Sequence, residues 1–125
     1  MEKIYFIDAD NVESKWINLL KEKNVKKCKF LIFYSKKSKL EYEKVEELLN
    51  LKGLNIEFIF CGAKATAIKM GISTFLGYMI TSKENSELII YSEDDSFNEI
   101  IDFWDKRNVK ITRTSPSLSD DLDLA

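Results

Sequence analysis

Ile4-Tyr5-Phe6-Ile7-Asp8-Ala9-Asp10-Asn11-Val12 is the stretch on which the fold turns. Four consecutive apolar residues leave no polar face for solvent. The run therefore reads as a strand covered on both sides, the environment of a central parallel strand. A carboxylate follows at once. Val12, Trp16, Leu19 and Leu20 then recur at helical spacing, with Asp10 placed to cap a helix and Glu13 three residues on. Strand, acidic turn and helix make the first part of a βαβ unit.

The same alternation continues outward. Residues 30–34, 56–60 and 88–91 are further apolar runs, and 109–112 is a shorter one. Ser38-x-x-Glu41 opens a helix with Val45, Leu48 and Leu49 on one face and Gly53 as its stop. Residues 66–82 form a helix that is apolar on most sides and should lie deep in the molecule. Ser96-x-x-Glu99 caps a helix that carries Phe97, Ile100, Ile101 and Trp104 on one face. Five strands separated by four helices predict a three-layer α/β sandwich around a five-stranded parallel sheet, order 3-2-1-4-5. Residues 1–114 form this domain, and 115–125 read as a polar acidic tail.

Composition removes whole classes of function. The 125 residues suit one domain, and eight Phe, five Tyr and two Trp supply a core. No apolar run approaches the ~18 residues of a membrane span, and the start lacks a signal-peptide core, so a cytoplasmic chain with no membrane role is expected. There is no histidine, which excludes imidazole-based catalysis and histidine-ligated zinc. Cys28 and Cys61 sit beside apolar runs and read as reduced core thiols. All 19 Lys and Arg fall within residues 1–114, against 18 of the 21 Asp and Glu. That near-neutral balance is no footprint of a duplex-DNA binder.

Chemistry in an open parallel sheet gathers beyond the carboxyl ends of the strands, where the strand order reverses. Here that point lies between strands one and four. The first ends in Asp8-Ala9-Asp10-Asn11, the second in Ser92-Glu93-Asp94-Asp95-Ser96. Asp10 and Ser96 suit helix caps as well. Asp8 directly ends a buried strand, where an unpaired carboxylate is costly, and Asp94 holds the matching place after the fourth strand. Facing carboxylates call for a proton or a cation, and oxygen ligands suit Mg²⁺ or Mn²⁺. Asp8, Asp94, Asp10 and Asp95 are the candidate metal ligands.

At these residues the chain resembles PIN-like and NYN-type nuclease domains, whose bacterial members open with a strand, an Asp and then an Asn at the helix start. Gly62 and Phe75-Leu76-Gly77-Tyr78 resemble the family's third-helix region, and Tyr91-Ser92-Glu93-Asp94-Asp95-Ser96-Phe97 resembles its S-x-D-x-x-F segment. The resemblance implies a ribonuclease that uses Mg or Mn, with Asp8 and Asp94 as the metal-binding, catalytic aspartates and Asn11 as the helix-start asparagine. It implies RNA, single-stranded or structured, or a protein as partner, by analogy in toxin–antitoxin, RNA-decay or phage-conflict settings. Asn11, Lys69, Ser92, Ser35, Lys36 and Lys37 are the expected nucleic-acid contacts.

One departure bears on activity. Relatives place an aspartate in the first turn of the third helix, and Lys69 stands there in this chain, with Asn98 at a position that is often acidic. Glu93 or Asp95 could compensate. Lys69 could instead neutralise Asp8 and Asp94, leaving a non-catalytic module that binds RNA or protein. A minor alternative is a haloacid dehalogenase-like phosphatase, with Asp8 as nucleophile, Asp10 as acid/base, Ser35 on phosphate, and Asp94 or Asp95 on Mg²⁺. That reading needs a flap hairpin where Asn11 already starts a helix. The acidic tail is expected to be free or to lie on lysines such as Lys36, Lys37 or Lys39.

Overall fold

The run at Ile4 forms the middle of the sheet in the computed structural model, which describes residues 2–21, 25–40, 43, 46–47, 53–82 and 85–118. Strand β1 (Glu2–Asp8) leads into a single helical turn, α1 (Ala9–Val12). A 3₁₀ stretch, Glu13–Lys21, and a shorter one, Val25–Lys27, precede β2 (Cys28–Tyr34). Then come β3 (Asn55–Phe60), α2 (Ala67–Thr81), β4 (Ser86–Tyr91), α3 (Phe97–Asp105) and β5 (Ile111–Thr114). The order is β3-β2-β1-β4-β5, and every pairing is parallel. The expected sheet is therefore observed, strand for strand.

Alternation along β1 divides the core in two, because successive side chains leave a strand on opposite faces. Tyr5 and Ile7 pack with Val12, Trp16, Leu20, Phe30 and Ile32 on one face. Ile4 and Phe6 pack with Leu31, Phe33, Ile68, Ile72, Leu76 and Phe97 on the other. Both sides of the strand are thus covered, which is why its sequence is continuously apolar. Tyr5 stacks on Phe30, with ring centroids 5.3 Å apart, and Phe6 on Phe33 at 6.1 Å.

Three expectations need correction. The helix expected from Asp10 onward is divided: Glu13 has φ 52°, so α1 ends after one turn and the chain continues as a 3₁₀ helix. The last strand starts two residues later than its apolar pattern suggests. Asn108 takes φ 63°, and the Val109 N–H donates to the Trp104 carbonyl, so Val109 closes the end of α3 before β5 can begin. Helix α2 is not deep. Ile68, Ile72 and Leu76 are buried, whereas Met70 is 66% exposed and Tyr78 69%. Within the helix expected after Ser38, Glu41, Val45, Leu48 and Leu49 lie outside the described residues. Its described members, Glu43, Glu46 and Glu47, are helical and exposed, and Gly53 has φ 58°.

Gly71 shows how closely α2 approaches the sheet. A Cβ there would lie 2.9 Å from Cys61 Sγ and 3.6 Å from Phe33 Cδ2. Overpacking a core costs ~1–3 kcal/mol, whereas Ala gains ~1 kcal/mol over Gly inside a helix. The two effects oppose each other, and the clash sets the sign. Gly71→Ala should lose about 1–2 kcal/mol in denaturant unfolding. In a Cys61→Ala background the same change should instead stabilise by up to ~1 kcal/mol.

Candidate functional site: a carboxylate rim

Strand register puts the acidic residues together. Ile7 lies opposite Tyr91 on β4, and Asp8 opposite Phe33 on β2, so the next residues beyond these strands meet at the switch point. Asp8 is 8% exposed. The Ser92 hydroxyl donates to its Oδ2 at 2.8 Å, and the Asn11 backbone N–H supplies a further hydrogen bond. Burial pushes the Asp8 carboxyl above the ordinary aspartate range. Those two hydrogen bonds oppose the shift, and the neighbouring Asp10 and Asp94 carboxylates add to it.

Asp10 turns toward the loop after β2. Ser35 Oγ lies 2.9 and 2.7 Å from its two oxygens, and the Ser38 hydroxyl donates to Oδ1. That loop is pinned in turn by the Ser35 N–H on Ser38 Oγ at 2.9 Å. Asn11 ties β1 to β4, its Oδ1 accepting the Glu93 N–H at 2.7 Å. The Ser92 carbonyl accepts from Arg113 Nη1 at 2.9 Å, which secures the β5 side.

Asp94 is held by its own turn and by Lys69. The Ser96 N–H and hydroxyl donate to its Oδ1 at 2.9 and 2.6 Å. Lys69 Nζ donates to Ser96 Oγ and stands 4.0 Å from Asp94 Oδ2. The hydrogen bonds from Ser96 lower the Asp94 carboxyl below its usual range, against a small burial effect, and Lys69 and Arg113 contribute further. Lys69 occupies the first turn of α2, where the helix dipole disfavours a cation by ~0.3–1 kcal/mol. Its contacts to Asp94 and Ser96, with the Phe97 ring 5.5 Å away, offset that cost.

The other expected site residues divide by exposure. Ser92 and Ser35 are buried with their hydroxyls committed to Asp8 and Asp10, so neither offers a free group to a nucleic acid. Lys36 and Lys37 stand exposed on the rim. Asp95 is exposed in the turn that starts α3. Glu93 belongs to the tail: it accepts the Ser117 N–H at 3.0 Å and hydroxyl at 2.6 Å, and the hydroxyls of Ser115 and Ser117 lower its carboxyl to about 2. The described start of the tail thus lies on Glu93 rather than on lysines, with Ser115 buried. Ser38 and Arg113 were not anticipated. Ser38 reads as a helix cap, and a serine three residues beyond another, after a strand beside Asp10, is the only hint of its contact.

These residues do not fit a divalent ion. Among the described residues no group of three or more Asp, Glu, Cys or His comes together to hold one. Each of Asp8, Asp10 and Asp94 already accepts at least one serine hydroxyl, and Lys69 supplies the neighbouring charge at Asp94. The phosphatase arrangement is not present either: α1 starts at Ala9 directly after β1, where a flap hairpin would have to stand.

Fold and site together define a parallel α/β module with a carboxylate-lined switch point. A family model for the PIN domain matches residues 2–114, and the chain belongs to that family. No curated relative and no solved structure matches it. No helix among the described residues is long and apolar enough to cross a membrane.

Asp8 carries a pH signature. A carboxyl raised in the folded state binds protons more tightly folded than unfolded, so its contribution is full below the unfolded value near 3.9 and is lost as pH rises through the folded value. Asp8→Asn keeps an oxygen for Ser92 and removes the buried charge. The variant should unfold at higher temperature than wild type at pH 7, and the difference should shrink to nothing below about pH 4. A Tm gap that is constant with pH would contradict the assignment.

Proposed function

We propose that this PIN domain binds the phosphate backbone of single-stranded RNA without cleaving it, Lys69 supplying at the acidic rim the positive charge that a metal ion would bring. One observation carries this reading: Lys69 Nζ sits between Ser96 Oγ and Asp94 Oδ2. A catalytic ion would have to displace that ammonium and reorient three hydroxyl-capped carboxylates. Lys36 and Lys37 beyond β2 and Lys64 before α2 are exposed at the same end of the sheet, where ammonium groups meet phosphates without reading bases. The chain's near-neutral charge makes such binding weak and salt-dependent.

The competing reading, a Mg²⁺- or Mn²⁺-dependent ribonuclease, has one specific support: Asp94 and Asp10 lie close enough to Asp8 to raise its carboxyl. Calorimetric titration with Mn²⁺ separates the two. Wild type should show no stoichiometric binding, and Lys69→Asp should create a site, since an added carboxylate beside Asp8 and Asp94 restores an oxygen cluster. A labelled single-stranded RNA should be retained intact, with log affinity falling against log salt at a slope of about −2 for three lysine contacts. Stoichiometric Mn²⁺ binding by wild type that Asp8→Asn abolishes, together with RNA cleavage, would establish the ribonuclease instead.

A further inference from the structure

Beside the rim, between the edge strand β3 and α2, runs an open groove of about 790 Å³. Its floor is apolar: Phe33, Ile59 and Phe75, with Phe60 and Met70 on its walls, 56% and 66% exposed. Phe60, Met70 and Tyr78 are exposed large hydrophobics gathered on one face, which solvent alone does not explain. Lys64 lines the groove at its rim end. Lys36 lies next to that end, its N–H donating to the Gly62 carbonyl at 3.1 Å. Glu57, the acid on the same face of β3, stands further down the strand outside the lining. The occupant that suits this surface is apolar on one side and acidic on the other.

The chain itself contains such a segment. Beyond Leu118 lie Ser119-Asp120-Asp121-Leu122-Asp123-Leu124-Ala125, with leucines and aspartates in alternation. Extended, Leu122 and Leu124 share one face and Asp121 and Asp123 the other. The segment leaves from Ser117, which is fastened to Glu93 beyond β4. β4 and β3 are three strand spacings apart, ~14 Å, and an extended chain from Ser117 spans ~17 Å to Leu122 and ~23 Å to Leu124. Charge sets the direction: Glu93, Asp94 and Asp95 repel the three aspartates, and Lys36, Lys37 and Lys64 on the β3 side attract them.

We infer that residues 119–125 cross the rim of their own chain and seat Leu122 and Leu124 at the rim end of this groove, with Asp121 and Asp123 against Lys64 and Lys36. The groove is thereby an intramolecular docking surface for an acidic, leucine-bearing segment. The proposal needs neither RNA nor metal, and its test uses neither, so its failure is distinguishable from failure of the function proposed above. The docked segment would nevertheless compete with RNA phosphates for Lys36 and Lys64.

Cys61 reports on it, because its half-buried thiol lines the groove whereas Cys28 is buried in the core. The rate at which a maleimide labels Cys61 in the full chain at pH 8.5, with Cys61→Ser as the unlabelled control, reads occupancy. Leu122→Asp/Leu124→Asp should label at least five-fold faster than wild type. Lys64→Glu should also label faster, and adding Asp121→Lys/Asp123→Lys to Lys64→Glu should return the rate toward that of wild type. Equal rates in wild type and the leucine variant would overturn the proposal. So would a wild-type rate that slows with rising protein concentration while the solution mass doubles, which would assign the segment to a second copy.

Discussion

A carboxylate buried at the end of the central strand has to be neutralised or fully hydrogen-bonded, and the rim of this domain is arranged around that requirement for Asp8. The position is unforgiving because β1 has neighbours on both edges and a core on both faces, so solvent reaches the group poorly. An unpaired charge there costs several kcal/mol. Ser92 and the Asn11 N–H answer for Asp8, and Asn11 in turn holds the Glu93 N–H. The joint between β1 and β4 is therefore a chain of polar contacts as much as a strand pairing. What sits at the switch point of the sheet also closes the sheet.

From that constraint follows the placing of the other two acids. Asp10 and Asp94 both raise the energy of ionised Asp8, so each needs its own partners if the rim is to stay charged at neutral pH. Asp10 takes two serines from the loop after β2, and Asp94 takes Ser96 and Lys69. Ser96 links the last two, accepting from the ammonium and donating to the carboxylate. Such coupled bonds strengthen one another where water is scarce. A carboxylate in place of Lys69 would add a fourth negative charge, which a proton or a bound cation would have to balance. Lys69, in the first turn of α2, is thus the cationic contact on the Asp94 side of the rim.

Much of this was legible in the residues, and what was hidden was hidden for physical reasons. The apolar run at Ile4 identified the central strand because burial on both faces removes alternation. Asp8 stood out because it ends such a run, Asp94 because it holds the matching place after the fourth strand, and Lys69 because it replaces an expected acid. The rest depends on three-dimensional competition. A hydroxyl at Ser96 or Ser38 suits a helix cap and a carboxylate partner equally well in sequence, and the structure uses each for a carboxylate, Ser96 making no side-chain cap. Val109 is as apolar as a strand residue should be, yet the left-handed Asn108 commits its N–H to the end of α3. Glu13 carries no local signal for the backbone reversal that ends α1.

The clearest failure of pattern reading, the depth of α2, is also the most informative. A helix apolar on most sides belongs in an interior. This one lies over β1 and β2, and the sheet ends one strand further on, at β3, so among the described residues nothing covers its outer flank. Met70 and Tyr78 then face outward for a geometric reason: the sheet stops before the helix runs out of apolar surface. A mismatch of this kind is tolerated when something covers the surplus, and here the surplus lies beside lysines within reach of a segment that alternates leucine with aspartate. The two ends of the sheet edge therefore differ in kind. At the switch point Asp8, Asp10 and Asp94 are each held by fixed neighbours, while at β3 apolar surface and exposed lysines face the same opening.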